Sequence, residues 1–226
     1  MSEPIMMTDQ KPFQFLAPGT LMIIGATGAG KTVAMLNILK HRNEIISPRP
    51  TVVYWVYEIY QPNIFSALKS VCPEIQFIQG FKQLLTIKFN PGNVNLIAMD
   101  DQMKSIAETP EAVDFFTIRV HHDNIFCIVN GQSLYYKSKH NSLLMRQAKY
   151  ILYFQNKRNV FESNSLGREL GLSPKDMKEL FRDASTYVRR PYLLFDCNPD
   201  TDEKRRILVN FLPQQNPKFF YYVADD

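Results

Sequence analysis

Three short stretches of this 226-residue chain carry residue types whose spacing suits phosphate chemistry. The first, Gly25-Ala26-Thr27-Gly28-Ala29-Gly30-Lys31-Thr32, fits the pattern G-x-x-x-x-G-K-[ST]. Glycines at those spacings let successive backbone N–H groups turn inward on an anion, and a following helix adds the positive end of its dipole. The eight residues and Val33 after them are therefore the expected nucleotide-binding set. Lys31 is expected to reach the β- and γ-phosphates of ATP, and the Thr32 hydroxyl to hold Mg²⁺. The second stretch is Asp100-Asp101, which closes the apolar run Asn95-Leu96-Ile97-Ala98-Met99. At the carboxyl end of a buried strand, Asp100 is placed to hold Mg²⁺ through water, and Asp101 to orient and deprotonate an attacking water. The third is Ile128-Val129-Asn130-Gly131-Gln132, an apolar run tipped with amides. An amide donates to phosphate and accepts from water at once, so Gln132, with Asn130 as the alternative, is the expected sensor of the γ-phosphate.

These groups need a scaffold that brings several strand ends together. Leu21-Met22-Ile23-Ile24 reads as a buried strand just before the glycine loop, and Val33–Lys40 has helical spacing just after it. Further strands are expected at Thr51–Tyr57, Glu74–Ile78, Asn95–Met99, Ile125–Val129, Tyr150–Phe154, Tyr192–Asp196 and Ile207–Phe211. Helices are expected at Asn63–Val71, Glu111–Val120, Ser163–Leu170 and Pro174–Ala184, with 84–89 ambiguous. Strands alternating with helices imply an α/β fold with a mostly parallel central sheet flanked by helices and an antiparallel C-terminal edge, and with the glycine loop and the acid-tipped strand the chain resembles a P-loop NTPase domain of RecA-like (ASCE) type. One domain over residues 12–213 is expected, between a flexible arm at 1–11 and a tail at 214–226.

Bulk composition excludes several alternatives. The chain is 45% hydrophobic and 12% aromatic, enough for a sizeable core, and its net charge of +4 is compatible with nucleic acid without demanding it. Cys72, Cys127 and Cys197 are odd in number and widely spaced, which argues against a disulfide framework or a structural zinc site. No basic segment followed by an apolar core opens the sequence, and no apolar run approaches the length that spans a bilayer. An intracellular chain is the simple expectation.

The order of motifs is narrower than any one of them. Pro12-Phe13, the GATGAGKT loop, LIAMDD, His122-Asp123-Asn124 before a strand, Gly131-Gln132-Ser133-Leu134-Tyr135 and Tyr150–Arg158 together resemble the FtsK–HerA superfamily. Within it the chain is similar to the poxvirus-type genome-packaging ATPases of double-stranded DNA viruses, virophages and Maverick/Polinton-type elements. Pro191–Pro199 resembles that group's closing strand. The resemblance implies a Mg²⁺-dependent ATPase that forms a homo-oligomeric ring, a pentamer or hexamer, and drives double-stranded DNA into a capsid. Its partners would be double-stranded DNA and capsid or portal-vertex proteins, in an infected cell or a virion. An arginine finger from a neighbouring subunit belongs to that picture, with Arg158 the first candidate, then Arg146, then Arg119. The basic stretch between Tyr135 and Arg158 supplies Lys137, Lys139 and Arg146 as candidate DNA-phosphate contacts. A same-fold helicase or transfer motor and a nucleoside or nucleotide kinase are the rival readings. Against the kinase, the basic residues between Lys40 and Asp100 are scattered singly, with no lid-like arginine cluster.

Overall fold

The computed structural model describes residues 5–8, 13–135, 146–215 and 219–222. Among the described residues the strands in chain order are β1 (Ile5–Thr8), β2 (Phe15–Leu16), β3 (Gly19–Ile24), β4 (Ile46–Ser47), β5 (Val52–Tyr57), β6 (Gln76–Gln79), β7 (Asn95–Met99), β8 (Ile125–Gly131), β9 (Tyr150–Phe154), β10 (Tyr192–Asp196), β11 (Ile207–Val209) and β12 (Phe219–Tyr222). Ten of them form one sheet in the order β1-β12-β11-β10-β9-β3-β8-β7-β5-β6, while β2 and β4 pair separately. From β9 to β6 every pairing is parallel, and from β9 outward to β1 every pairing is antiparallel. The expected parallel core with an antiparallel C-terminal edge is the architecture observed.

Every residue of β3, β7, β8, β9, β10 and β11 is buried. Helices on both faces produce that pattern, and it is why these strands read as unbroken apolar runs rather than alternating ones. The helix after the glycine loop, α1 (Lys31–Lys40), buries Met35, Ile38 and Leu39. Phe13, Phe15, Tyr150 and Phe211 meet edge-on and Phe126 packs tilted against Phe15 and Tyr150, with ring centroids from 4.8 Å for Phe13–Phe15 to 6.3 Å for Phe126–Tyr150. The aromatics expected in the core are largely there. No helix among the described residues is long and apolar enough to cross a membrane.

The sheet is wider than the sequence implied. Residues 5–8, expected within a flexible arm, form β1, which pairs antiparallel with β12 in the stretch expected to be a tail. A strand made of two chain ends can be recognised only once the ends are neighbours, because nothing local distinguishes it. The helix expected at Ser163–Leu170 spans Val160–Glu169, its start set by the Asn159 side chain accepting from the Glu162 amide. The next helix spans Pro174–Tyr187 and begins with a capping box of Ser173 and Asp176. The expected helix at Glu111–Val120 runs from Ala112 to His122, with a π-helical stretch at Phe115–Arg119 in its middle. The ambiguous 84–89 stretch lies at the end of a short helix, Phe81–Leu85.

Candidate active site

Strand register decides which side chains meet. β8 lies between β3 and β7, with Ile24 opposite Gly131 and Met99 opposite Val129. All three strands run the same way, so the residues just past their ends come together on one rim: Gly25 after β3, Asp100 after β7, and Asn130 to Gln132 at the tip of β8. The glycine loop is tied to this rim, since the Gly25 amide donates to the Gly131 carbonyl at 3.2 Å. Gly28 and Gly30 hold φ of 79° and 112°, which only glycine adopts without strain, and so they turn the loop around a central space. A cavity of about 320 Å³ opens there, lined by Thr27, Gly28, Gly30, Lys31, Thr32, Val33, Asp101, Asn130, Gln132 and Arg190.

Lys31 is buried, with its ammonium donating to the carbonyls of Gly25 at 2.7 Å and Ala26 at 3.2 Å. Burial lowers its pKa, and the carboxylates of Asp101 and Asp100 oppose the shift. Asp100 is only 7% exposed. Burial pushes its carboxyl above the usual carboxylate range, a hydrogen bond from Asn130 pulls it back, Asp101 adds to the rise, and Lys31 lowers it. The Asn130 amide bridges the two acids, donating through Nδ2 to Asp100 Oδ1 and accepting at Oδ1 from the Asp101 backbone N–H at 2.9 Å. That second bond holds Asp101 at φ 53°, a left-handed conformation that aspartate tolerates better than most residues. The turn is closed by buried Gln102, which donates to the Asp100 carbonyl at 3.2 Å and to Glu58 Oε2 at 3.4 Å.

The structure thus gathers most of the expected residues. Gly25 to Val33, Asp100, Asp101, Gln132 and Asn130 share one rim. Asn130 does more than an alternative sensor would, because it fixes the geometry of both acids. The arginine candidates separate. Arg158 is exposed on the loop after β9 and does not line the cavity. Arg146 is exposed just before β9, at the opposite edge of the sheet. Arg119 is engaged within the chain, donating to Asp123 at 3.0 Å and to the carbonyls of Leu85 and Ile87 at 2.9 and 2.6 Å, with its guanidinium against Phe89 and Phe115. Lys137 and Lys139 lie outside the described residues.

Two residues escaped the sequence reading. Arg190 lines the cavity, and the only local sign was a pair of arginines before Pro191 and an apolar strand. Glu162, 2% exposed, anchors the segment directly after Gln132: its carboxylate accepts from Ser133 Oγ, from the Leu134 amide at 2.7 Å and from the Tyr153 hydroxyl at 3.2 Å. Nothing in Asn159–Glu162 itself marks a buried acid, since its donors come from two other segments.

The residues fit a magnesium nucleotide. Mg²⁺ prefers hard oxygen ligands and shares them with phosphate. Asp100 spends Oδ1 on Asn130 and has a second carboxylate oxygen, while Thr32 presents a hydroxyl at the first turn of α1. Those two would hold the ion, which when bound neutralises charge on the β- and γ-phosphates.

A parallel sheet with a glycine loop on its central strand, and one strand between that and the acid-bearing strand, defines the P-loop ATPase fold, and that is the class of this chain. No family model matches the sequence, and neither does any curated protein. Among solved structures, the cytoplasmic domain of the Type VII secretion ATPase EccC from Thermomonospora curvata aligns over 91% of this chain and 25% of its own, at 11% identity and a TM-score of 0.52. EssC (ATPases 2 and 3) from Geobacillus thermodenitrificans aligns over 92% of this chain and 40% of its own, at 14% identity and TM-score 0.47. The chain therefore spans a quarter to two fifths of these similar structures. At these identities the likeness is one of fold.

Proposed function

We propose that this chain is a Mg²⁺-dependent ATPase that works as a homo-oligomeric ring and drives double-stranded DNA, into a viral capsid. The observation that supports hydrolysis is the meeting of Lys31, Asp101 and Gln132 around one cavity, which follows from β8 lying between β3 and β7. A phosphate-binding loop alone stores nucleotide, whereas an acid and an amide facing it make an attacking water reactive.

On this reading the Lys31 ammonium leaves the Gly25 and Ala26 carbonyls for the β- and γ-phosphates as nucleotide enters. Asp101, held by Asn130, accepts a proton from the attacking water. Gln132 orients that water and senses the γ-phosphate. Gln132 precedes the Glu162-anchored residues 133–134, so a change at the γ-phosphate has a short covalent route toward the basic segment beyond Tyr135. Charge stabilisation by Arg158 or Arg146 would come from a neighbouring subunit. The packaging role rests on the sequence resemblance. The fold likeness to EccC favours a second reading, a motor that drives secretion.

The test is ATP hydrolysis by wild type, Lys31→Ala and Asp101→Asn, with and without double-stranded DNA. Lys31→Ala is expected to lose nucleotide binding, and Asp101→Asn to keep binding while losing turnover by about a hundredfold or more. Stimulation of the wild type by double-stranded DNA supports the DNA motor; its absence favours the secretion reading. Unchanged rates in both variants would remove the ATPase assignment.

A further inference from the structure

Arg190 stands where a nucleotide would need a cation, and the fold delivers it there by an unusual route. β10 runs antiparallel to β9, pairing Tyr192 with Phe154, so its N-terminal end arrives at the rim where the parallel strands finish. The chain leaves the Pro174–Tyr187 helix, crosses Val188 to Arg190 and is pinned to β9 by the Gln155 amide donating to the Pro191 carbonyl at 2.9 Å. That places the Arg190 side chain over Gly30: a Cβ added to Gly30 would lie 3.4 Å from Arg190 Nη1, 3.5 Å from its Cδ and 3.6 Å from Phe154 Cε1. A side chain at position 30 would push on the arginine as well as strain the loop.

Among the described residues no carboxylate forms an ion pair with Arg190, and Asp101 is the only acid that lines the cavity. Lys31, the N-terminus of α1 and Arg190 thus converge on one space, an arrangement of positive charge that an anion relieves. The position is also specific. A second, mostly apolar cavity of about 190 Å³ lies along α1 and β9, with Val33, Asn37, Phe154 and Leu212 among its walls. Gly30, Val33 and Arg190 line both cavities, so the guanidinium sits at their junction. With phosphates in the first cavity, the second is the adjacent space of a size and polarity to take a nucleoside, and the group at the junction is the α-phosphate.

We propose that Arg190 clamps the α-phosphate of the nucleotide bound by its own subunit, so that it serves affinity for ATP and ADP alike and is distinct from any finger supplied by a neighbour. This rests on the nucleotide-binding reading above. Losing one charged hydrogen-bonding contact of this kind corresponds to about tenfold in affinity.

The experiment titrates Mg-ATP and Mg-ADP against wild type, Arg190→Ala and Arg190→Gln, and measures steady-state hydrolysis. Arg190→Gln keeps part of the stem against Gly30 and Phe154 while removing the charge. Both variants are expected to weaken ATP and ADP equally, by about tenfold, raising KM with kcat changed less than threefold. Mixing either variant with Lys31→Ala protein, which carries an intact Arg190, is expected to restore nothing. Unchanged affinity for both nucleotides overturns the assignment. So does a loss confined to ATP and kcat, which would put Arg190 on the γ-phosphate, or a recovery on mixing, which would put it in trans. A wild type that binds neither nucleotide overturns the ATPase reading itself, a result distinguishable before any variant is made.

Discussion

Asn130→Ala is the perturbation that most directly probes how the acids are held. The amide makes two bonds at once, to the carboxylate of Asp100 and to the backbone N–H of Asp101. A hydrogen bond to a buried charged acceptor contributes about 2 kcal/mol and the bond to a backbone N–H about 1, so the substitution is expected to cost about 3 kcal/mol. For a chain of this length that corresponds to a fall in Tm of about 6 to 12 °C. The pH dependence carries the sign. Burial raises the Asp100 pKa above its unfolded value, so ionising it costs stability; that cost is absent below the unfolded pKa and grows as pH rises toward the folded one. The Asn130 bond opposes the rise, so removing it lifts the folded pKa further, and the penalty of Asn130→Ala must be largest at neutral pH and shrink on acidification. Denaturant unfolding between pH 7.5 and pH 5 measures it. The same substitution in an Asp100→Asn background should cost about 1 kcal/mol less, because the charged component is gone. A cost below about 0.5 kcal/mol, or one that grows as pH falls, would refute the bridging role.

Other outcomes follow from the packing. Arg119→Ala should destabilise the fold by about 2 kcal/mol through the lost contacts to Asp123, Leu85 and Ile87, yet leave the hydrolysis rate of the folded protein intact; a selective loss of kcat would restore Arg119 as a finger. Glu162→Ala strips the acceptor from Ser133, Leu134 and Tyr153 and should cost about 3 kcal/mol in a thermal melt, with a fall of less than about 1 kcal/mol contradicting the network. Gly167→Ala puts a Cβ 2.6 Å from Met177 Cγ, where the Val160–Glu169 helix meets the next one, and should cost about 1 to 3 kcal/mol; a neutral result would show that the two helices slide apart freely.

Much of the site was legible before any coordinates because its pieces are local. Gly25 to Thr32 is a loop whose chemistry lies in consecutive backbone groups, and Asp100-Asp101 marks the end of an apolar run that had to be a buried strand. Gln132 was legible for the same reason, as a polar tip on a third such run. Boundaries were less so: Asn159 caps a helix through its side chain, and the strand at Ile5–Thr8 exists only because Phe219–Tyr222 lies beside it.

From the sequence alone came the class of fold and most members of the candidate site, the glycine loop, the two acids and the amide, since periodicity and short motifs report on contacts between near neighbours. Tertiary structure alone decided the rest. Strand order set Asn130 between Asp100 and the Asp101 amide. The antiparallel turn of β10 carried Arg190 back to the glycine loop, and the carbonyls of Leu85 and Ile87 engaged the partly exposed Arg119 guanidinium. Each of these depends on groups about thirty to one hundred and sixty residues apart meeting in register, and the spacing of residues along a chain holds no record of which distant segments pair.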